Sequence, residues 1–449
     1  MKKILALFLI TILNFSLNAY SADLKKGINT EISNSSISKG AISISIKDAK
    51  TGAVVFELNP KMPTPPASIQ KIITSTPAFI TLGQDYQFKT QLYKNNNDEY
   101  LIKLGADPYL TTKDLAQLVK FLPKEIKQLY IDDSAIDSNE WGEGWQWDDD
   151  LNPLMPKFSA YNIDKNLMEV AIMPTIRGCS AEVRTMVNYP TTFVNNITTA
   201  DKTEYFINRQ NHISPDIITL EGTVSFNKSI IKNIPVNSPK KYFKLRLAEE
   251  IINENLSCSG IFPSKKITPD YKLIAEICHD GKKAQEDILK RSNNLMAETV
   301  FKLAGAKYKS ATQTPKGSFE EGLEMLKDFC AKCYIDTSNI NIVDASGVSK
   351  NNILTANFMT EFLLKNAEYI EHRLTTANEG TLSGRMFYLK DKLYAKTGTL
   401  SNISSIAGYI TSKTNKKYAF CIMINSAKIS NSDKKTLEEY IIRAIYTQG

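Results

Sequence analysis

Histidine is scarce in this chain. Only three stand among 449 residues: His212, His279 and His372. They are scattered, and each reads as structural or solvent-exposed, so a hydrolase built here needs another base. Cysteine is sparse as well, at Cys179, Cys258, Cys278, Cys330, Cys333 and Cys421. Cys330-Ala331-Lys332-Cys333 has the spacing of a redox motif or half a zinc site. No βαβ pattern surrounds it, and no second Cys or His pair has zinc spacing. No metal and no cofactor is expected. Past the N-terminus no stretch reaches about 18 apolar residues, so no transmembrane helix is expected. No basic stripe interleaves with aromatics, which argues against nucleic acid. There is no fixed-period repeat.

The N-terminus has the parts of a secretory leader over residues 1–21. Lys2-Lys3 are the basic start, Ile4 to Leu13 the apolar run, and Ala19-Tyr20-Ser21 the small-residue cleavage context. The mature chain is then exported, periplasmic or extracytoplasmic, and soluble, with disulfides open to its cysteines. Peripheral membrane contact stays open. Removing Lys2 and Lys3 lowers the formal net charge from +7 to +5 (7 − 2). That mild excess favours an anionic partner only weakly.

Pattern divides the rest. Ala41 to Lys47 alternates apolar and polar, as does Val54 to Leu58, with Thr51-Gly52 between: a β-hairpin. A Pro-rich loop leads to a helix around Ser68, which Pro77 should kink or end. From about Gln87 to Ile277 the chain holds short strands, many turns and the loop Trp141 to Asp150. Helical spacing returns at Ala284 to Ala306, broken at Ser292-Asn293-Asn294. Leu393 to Ile410 and Tyr418 to Asn425 read as two long strands.

Three short motifs carry the chemistry. Ser-x-x-Lys occurs six times, at Ser36, Ser68, Ser225, Ser229, Ser238 and Ser432, so the pattern alone says little. Only Ser68 follows Pro65-Pro66-Ala67, a helix-start context. It places Ser68 and Lys71 at i and i+3, on one helical face. A serine hydroxyl needs a base to become a nucleophile, and Lys71 can serve only when neutral. Lowering a lysine from about 10.4 to about 7 requires about 4.6 kcal/mol. Burial and a nearby cation can together supply it, and Lys396 is that cation. The Ser292 hydroxyl both donates and accepts, so it can pass a proton to a leaving amine. The Asn294 amide can hold Lys71 and a substrate carbonyl. Lys396-Thr397-Gly398-Thr399 opens a strand. Gly398 is expected to let a substrate backbone approach, and Lys396 with Thr399 to grip a carboxylate. Backbone N–H groups of Ser68 and Thr399 are candidates for an oxyanion hole.

With Leu295-Met296-Ala297-Glu298 after the second motif and Ala407-Gly408-Tyr409 after the third, the chain resembles one family. It is similar to the three-domain D-alanyl-D-alanine carboxypeptidase/endopeptidases, the class C low-molecular-mass penicillin-binding proteins. Further matching stretches are Gly105-Ala106-Asp107-Pro108, Trp145-Gln146-Trp147-Asp148-Asp149, Asp344-Ala345-Ser346-Gly347-Val348-Ser349 and Gly380-Thr381-Leu382.

The resemblance implies an α/β (α+β) fold, a β-lactamase-like penicilloyl-serine-transferase domain with an antiparallel sheet and helices. A large, mostly β insertion lies within the stretch from Ser68 to Ser292, which are 224 positions apart (292 − 68). Residues 22–86 and 278–449 would form the catalytic domain, 87–163 with 241–277 a second domain, and 164–240 a third. It implies Ser68 as the acylated nucleophile, Lys71 as base, Ser292 and Asn294 as relay, and Lys396, Thr397, Gly398 and Thr399 as substrate-binding. Asp149, flanked by Asp148 and Asp150, matches the acid that contacts the free amino end of a peptidoglycan side chain. Partners would be peptidoglycan stem peptides, with β-lactams as covalent inhibitors. Two departures stand out. Asn293 replaces the usual Asp of the middle motif, and Ala345 replaces a common Gly, which puts the local loop shape in question. A β-lactamase and a non-catalytic wall-binding protein are the competing readings. The first lacks its Glu-x-x-Leu-Asn segment here, and the second should have lost Ser68, Lys71 or Lys396.

Overall fold

The computed structural model describes residues 23–209, 216–262, 265–310 and 316–449, so the expected leader lies outside the described residues. The architecture is mixed α/β with mainly antiparallel sheets, as expected. The chain divides into two compact units. One holds the chain up to Ile80, with Ala284–Asn293 and Leu323–Gly449; the other holds Thr81–Lys283 and Asn294–Gly322.

The first unit is built on a six-stranded sheet. Its order is Thr375–Thr376, Leu393–Leu400, Ile403–Thr411, Lys417–Asn425, Ile42–Asp48, Val54–Leu58. The alternation read in the first strand sends Ile42, Ile44 and Ile46 to one face. They join a core with Leu24, Ile28 and Ile32 of a helix over 23–34 and with Leu437, Ile441 and Ile445 of the Asn431–Gln448 helix. The polar face is buried too, under the Ala356–Lys365 helix. Ser45 Oγ shares a hydrogen bond with Thr360 Oγ1 at 2.9 Å, and Lys47 Nζ donates to Asn357 Oδ1 at 2.8 Å. These bonds satisfy polar groups that burial would otherwise penalise.

Some expectations need correction. Leu393 to Ile410 is not one strand but a hairpin of Leu393–Leu400 and Ile403–Thr411, turned at Ser401-Asn402. Asn402 takes the left-handed turn position at φ 71° without a glycine, so the apolar pattern gave no break. Pro77 does not end its helix, which runs Lys71–Leu82. In the turn before it, Thr76 Oγ1 donates to the Ile72 carbonyl at 2.7 Å and Ser75 Oγ to the Lys71 carbonyl at 2.5 Å. The disulfides left open by the sequence are not formed: all six cysteines lie among the described residues as free thiols.

The second unit contains a four-stranded sheet ordered Lys272–Asp280, Gln87–Lys94, Glu99–Lys103, Gln128–Asp132. Two three-stranded sheets follow: Glu204–Arg209, Ile217–Ser225, Thr192–Ala200; and Ile230–Pro235, Leu167–Met173, Glu182–Thr185. His279 has a structural partner here. Its Nδ1 lies 2.6 Å from Asp107 Oδ2, and that hydrogen bond raises the imidazole pKa.

One buried acid ties the last helix of the first unit to its sheet. Glu438 accepts from Ser404 Oγ at 2.7 Å and from Arg385 Nη2 at 3.3 Å. Burial outweighs these partners and pushes its carboxyl up from 4.5 to about 6. The folded chain therefore binds this proton more tightly than the unfolded chain. Its contribution is present below pH 4.5 and is lost as pH rises to about 6. The loss amounts to about 2 kcal/mol. Denaturant unfolding at several pH values should show this fall in the parent protein and not in Glu438→Gln. Parallel pH profiles would show that the group is ionised in the fold.

Candidate active site

The nucleophile sits on a tight turn, not on the α-helix proper. Ala67–Gln70 is a 3₁₀ turn, and the α-helix begins at Lys71. Ala67 is held at φ 51°, a left-handed conformation that costs a residue with a Cβ about 1–3 kcal/mol. The surroundings enforce it. A Cβ on Gly347 would lie 2.1 Å from the Ala67 carbonyl oxygen, and one on Gly398 would lie 2.8 Å from the Ser68 nitrogen. Ser405 Oγ donates to the Pro66 carbonyl at 2.6 Å. So the glycine of the third motif is required by this chain's own Ser68 backbone. This role stands beside the substrate approach expected of Gly398.

Lys71 is fully buried below the turn. Its Nζ is 2.9 Å from Ser68 Oγ and 2.6 Å from the Ser346 carbonyl oxygen. The first distance is within the range for direct proton transfer. As drawn, Nζ donates to Oγ; proton abstraction reverses that bond and needs the neutral amine.

Ser346 is a site residue that motif reading missed. It belongs to the turn Asp344–Ser349, quoted above only as a matching stretch. Asp344 carboxylate oxygens accept from the Gly347 and Ser349 amides, both at 2.6 Å. Gln70 Nε2 donates to Asn352 Oδ1 at 3.0 Å, and Asn352 Nδ2 donates to Asp344 Oδ1 at 2.9 Å. Thr74 Oγ1 donates to the Ala345 carbonyl at 2.7 Å. The turn is thus fastened to the Ser68 helix along three of its residues. Ala345 is buried and is not among the residues at positive φ, so alanine fits there without strain. The available signal was the Asp-x-Ser-Gly pattern, whose Asp and Gly make a turn.

The second motif is a helix cap as well as a site. Ser292 follows the helix Gly281–Lys290 at φ 64°, and the Asn293 amide donates back to the Asp287 carbonyl at 3.1 Å. That bond reaches back six residues and, with Ser292 in the left-handed region, closes the helix end. It turns Ser292 Oγ toward Lys396, whose Nζ donates to it at 2.9 Å and to the Thr397 carbonyl at 2.7 Å. Lys396 is fully buried, and burial first, then the Lys71 charge, holds its pKa well below the ordinary lysine value. Lys396 is the second cation that the sequence placed beside Lys71. Ser68, Lys71, Ser292 and Lys396 with Thr397, Gly398 and Thr399 all lie in the first unit. Thr399 is exposed, while Ser68 and Ser292 are half-buried.

Asn294 and Asp149 belong to the second unit. Asn294 is the first residue of the Asn294–Lys309 helix, and its Nδ2 donates to the Leu154 carbonyl at 2.8 Å. Asp149 closes the short 3₁₀ turn Trp147–Asp149. Among the described residues no group of three or more His, Cys, Asp or Glu is arranged to hold a metal ion. The close approach at Gly398 gives a direct test. Gly398→Ala forces the strand or the Ser68 turn to move, and a displacement near 1 Å lowers rates about 100-fold. The acylation rate with a penicillin should fall by that order while far-UV circular dichroism is retained. An unchanged rate would show that Gly398 does not set the nucleophile's position.

Comparison with known proteins identifies the family. The family model described as the D-Ala-D-Ala carboxypeptidase 3 (S13) family matches residues 24–447. The D-alanyl-D-alanine carboxypeptidase DacB of Haemophilus influenzae is 26% identical over 409 residues, covering 82% of this chain and 82% of that protein. A D-alanyl-D-alanine carboxypeptidase of an Actinomadura species is 24% identical, covering 83% of this chain and 76% of its own length. The crystal structure of penicillin binding protein 4 from Haemophilus influenzae has a TM-score of 0.80 at 21% identity, covering 95% of this chain and 98% of that one. That likeness shows a shared fold. With a family model spanning nearly all of its length, the chain belongs to the D-Ala-D-Ala carboxypeptidase 3 (S13) family of peptidases.

Proposed function

We propose that this family member is an exported serine-type DD-peptidase acting on peptidoglycan stem peptides. The observation that carries it is the buried Lys71 Nζ at 2.9 Å from Ser68 Oγ, matched by Lys396 Nζ at 2.9 Å from Ser292 Oγ. Neutral Lys71 takes the Ser68 proton as Oγ attacks the carbonyl of the penultimate D-alanine. The Ser68 and Thr399 amides receive the oxyanion. Ser292 passes a proton to the departing amine, so the peptide C–N bond breaks and an ester forms on Ser68. Lys396 and Thr399 hold the terminal carboxylate, with Thr397 beside them. Asn294 takes the substrate carbonyl. Water then hydrolyses the ester and returns the proton. A β-lactam enters the same first step, and its ring amide opens to leave a penicilloyl ester.

The finer assignments belong to the same reading. Residues 1–21 act as the leader that delivers the chain to the periplasm or an equivalent compartment. Among the described residues no helix is long and apolar enough to cross a membrane. Within the insertion, 87–163 with 241–277 and 164–240 form two domains. Asp149 receives the free amine of the stem-peptide side chain. A non-catalytic scaffold is disfavoured because Ser68, Lys71 and Lys396 are present and bonded, and a β-lactamase because its Glu-x-x-Leu-Asn segment is missing.

The purified mature chain should release D-alanine from pentapeptide muropeptides. Ser292→Ala should lower kcat by roughly 10²–10⁴, the usual weight of a positioned proton donor. An unchanged kcat would remove Ser292 from the proton path. Cross-linked muropeptide dimers in the same assay separate the two peptidase activities, because only endopeptidase action converts dimers to monomers.

A further inference from the structure

Asp148, Asp149 and Asp150 stand in a row, and the structure gives them different surroundings. Asp148 is exposed, Asp149 half-buried and Asp150 buried. The loop that carries them is anchored at its start by Trp145, which packs edge-on against Trp141 and Phe158 with ring centroids at 4.9 and 5.8 Å. Its end is anchored by charge. Arg209, the last residue of the Glu204–Arg209 strand, directs Nη1 at the Asp150 carboxylate at 3.3 Å and at the Asp150 carbonyl oxygen at 3.4 Å. Its Nη2 donates to the Pro235 carbonyl at 2.5 Å. The two side chains are 2% and 9% exposed.

Such a pair is a poor way to gain stability. Desolvating both charges offsets most of their attraction, and apolar replacements of similar volume often do as well. Here the pairing is also incomplete: Arg209 Nε is buried with no partner among the described residues. What the arrangement does supply is position. Arg209 engages the carbonyl of residue 150 as well as its side chain, so it holds both the residue next to Asp149 and the Asp150–Leu151 peptide. The Asp149 amide is fixed from the other direction, donating to the Gln146 carbonyl at 3.2 Å.

We propose that Arg209 is a positioning residue for substrate selectivity: by clamping Asp150 it sets the Asp149 carboxylate for the amine of the incoming stem peptide. This rests on the assignment of Asp149 made above. Arg209 acts through Asp150, and it takes no part in acylation.

The test uses the full mature chain and two synthetic peptides ending in D-Ala-D-Ala, identical except that the side-chain amine is free in one and acetylated in the other. The ratio of their kcat/KM values is the readout, with the acetylated peptide as internal reference. Asp149→Asn should abolish the preference for the free amine. Arg209→Ala should reduce it about tenfold, through KM and not kcat, and Arg209→Lys should restore part of it. If Asp149→Asn keeps the preference, the assignment of Asp149 fails. If Asp149→Asn loses it while Arg209→Ala keeps it, the role of Arg209 is overturned. Equal losses on both peptides would likewise overturn it, since they mark a structural role only. Asp150→Asn breaks the same ion pair with little change of shape, and it decides the matter by the same ratio if Arg209→Ala does not fold.

Discussion

The site depends on how closely three backbones approach at Ser68. The Ala67–Ser68 peptide lies between Gly347 and Gly398, and a methyl on either glycine would overlap it. That contact holds Ala67 in a left-handed conformation and aims the 3₁₀ turn before the Lys71 helix starts. It also sets the neighbours of Lys71, because the turn bearing Gly347 supplies the Ser346 carbonyl that receives its ammonium. The strand bearing Gly398 brings Lys396. Ser68, Lys71 and Lys396 are thus fixed by one packing constraint within a single unit.

Electrostatics follows from that packing. Two lysines lie fully buried, each bonded to one serine and one carbonyl. A dry site with two ammonium groups is unfavourable, and the repulsion adds to the desolvation of each. Lys396 answers with a pKa well below the ordinary lysine value. A substrate carboxylate reverses the balance at Lys396, since a negative charge favours its ammonium form. In the mechanism proposed above, that ion pair holds the substrate while Lys71 acts as the base.

Much of this was legible in the residues. The hairpin at Ala41 to Leu58, the helices either side of Ser292, and the trio Ser68-Lys71, Ser292 and Lys396 all follow from period, order and residue chemistry. What escaped depends on distances between segments far apart in sequence. Nothing local tells that Gly398 faces the Ser68 amide, or that Gln70 ties its helix to Asn352. The Ser401-Asn402 turn hid because asparagine replaced the expected glycine. The three aspartates at 148–150 could not be ranked until Arg209, 59 residues on, was seen against Asp150 (209 − 150). Conversely, the Ser-Asn-Asn motif was legible for two separate reasons, as a helix ending and as a proton path.

The central claim is that Ser68, activated by Lys71, forms the acyl-enzyme. The most direct measurement is mass spectrometry after brief exposure of the mature chain to benzylpenicillin, with proteolytic mapping of the adduct. One penicilloyl group per chain is predicted, carried on the peptide that contains Ser68 and missing in Ser68→Ala. An adduct on any other residue, or persistent labelling of Ser68→Ala, would contradict it.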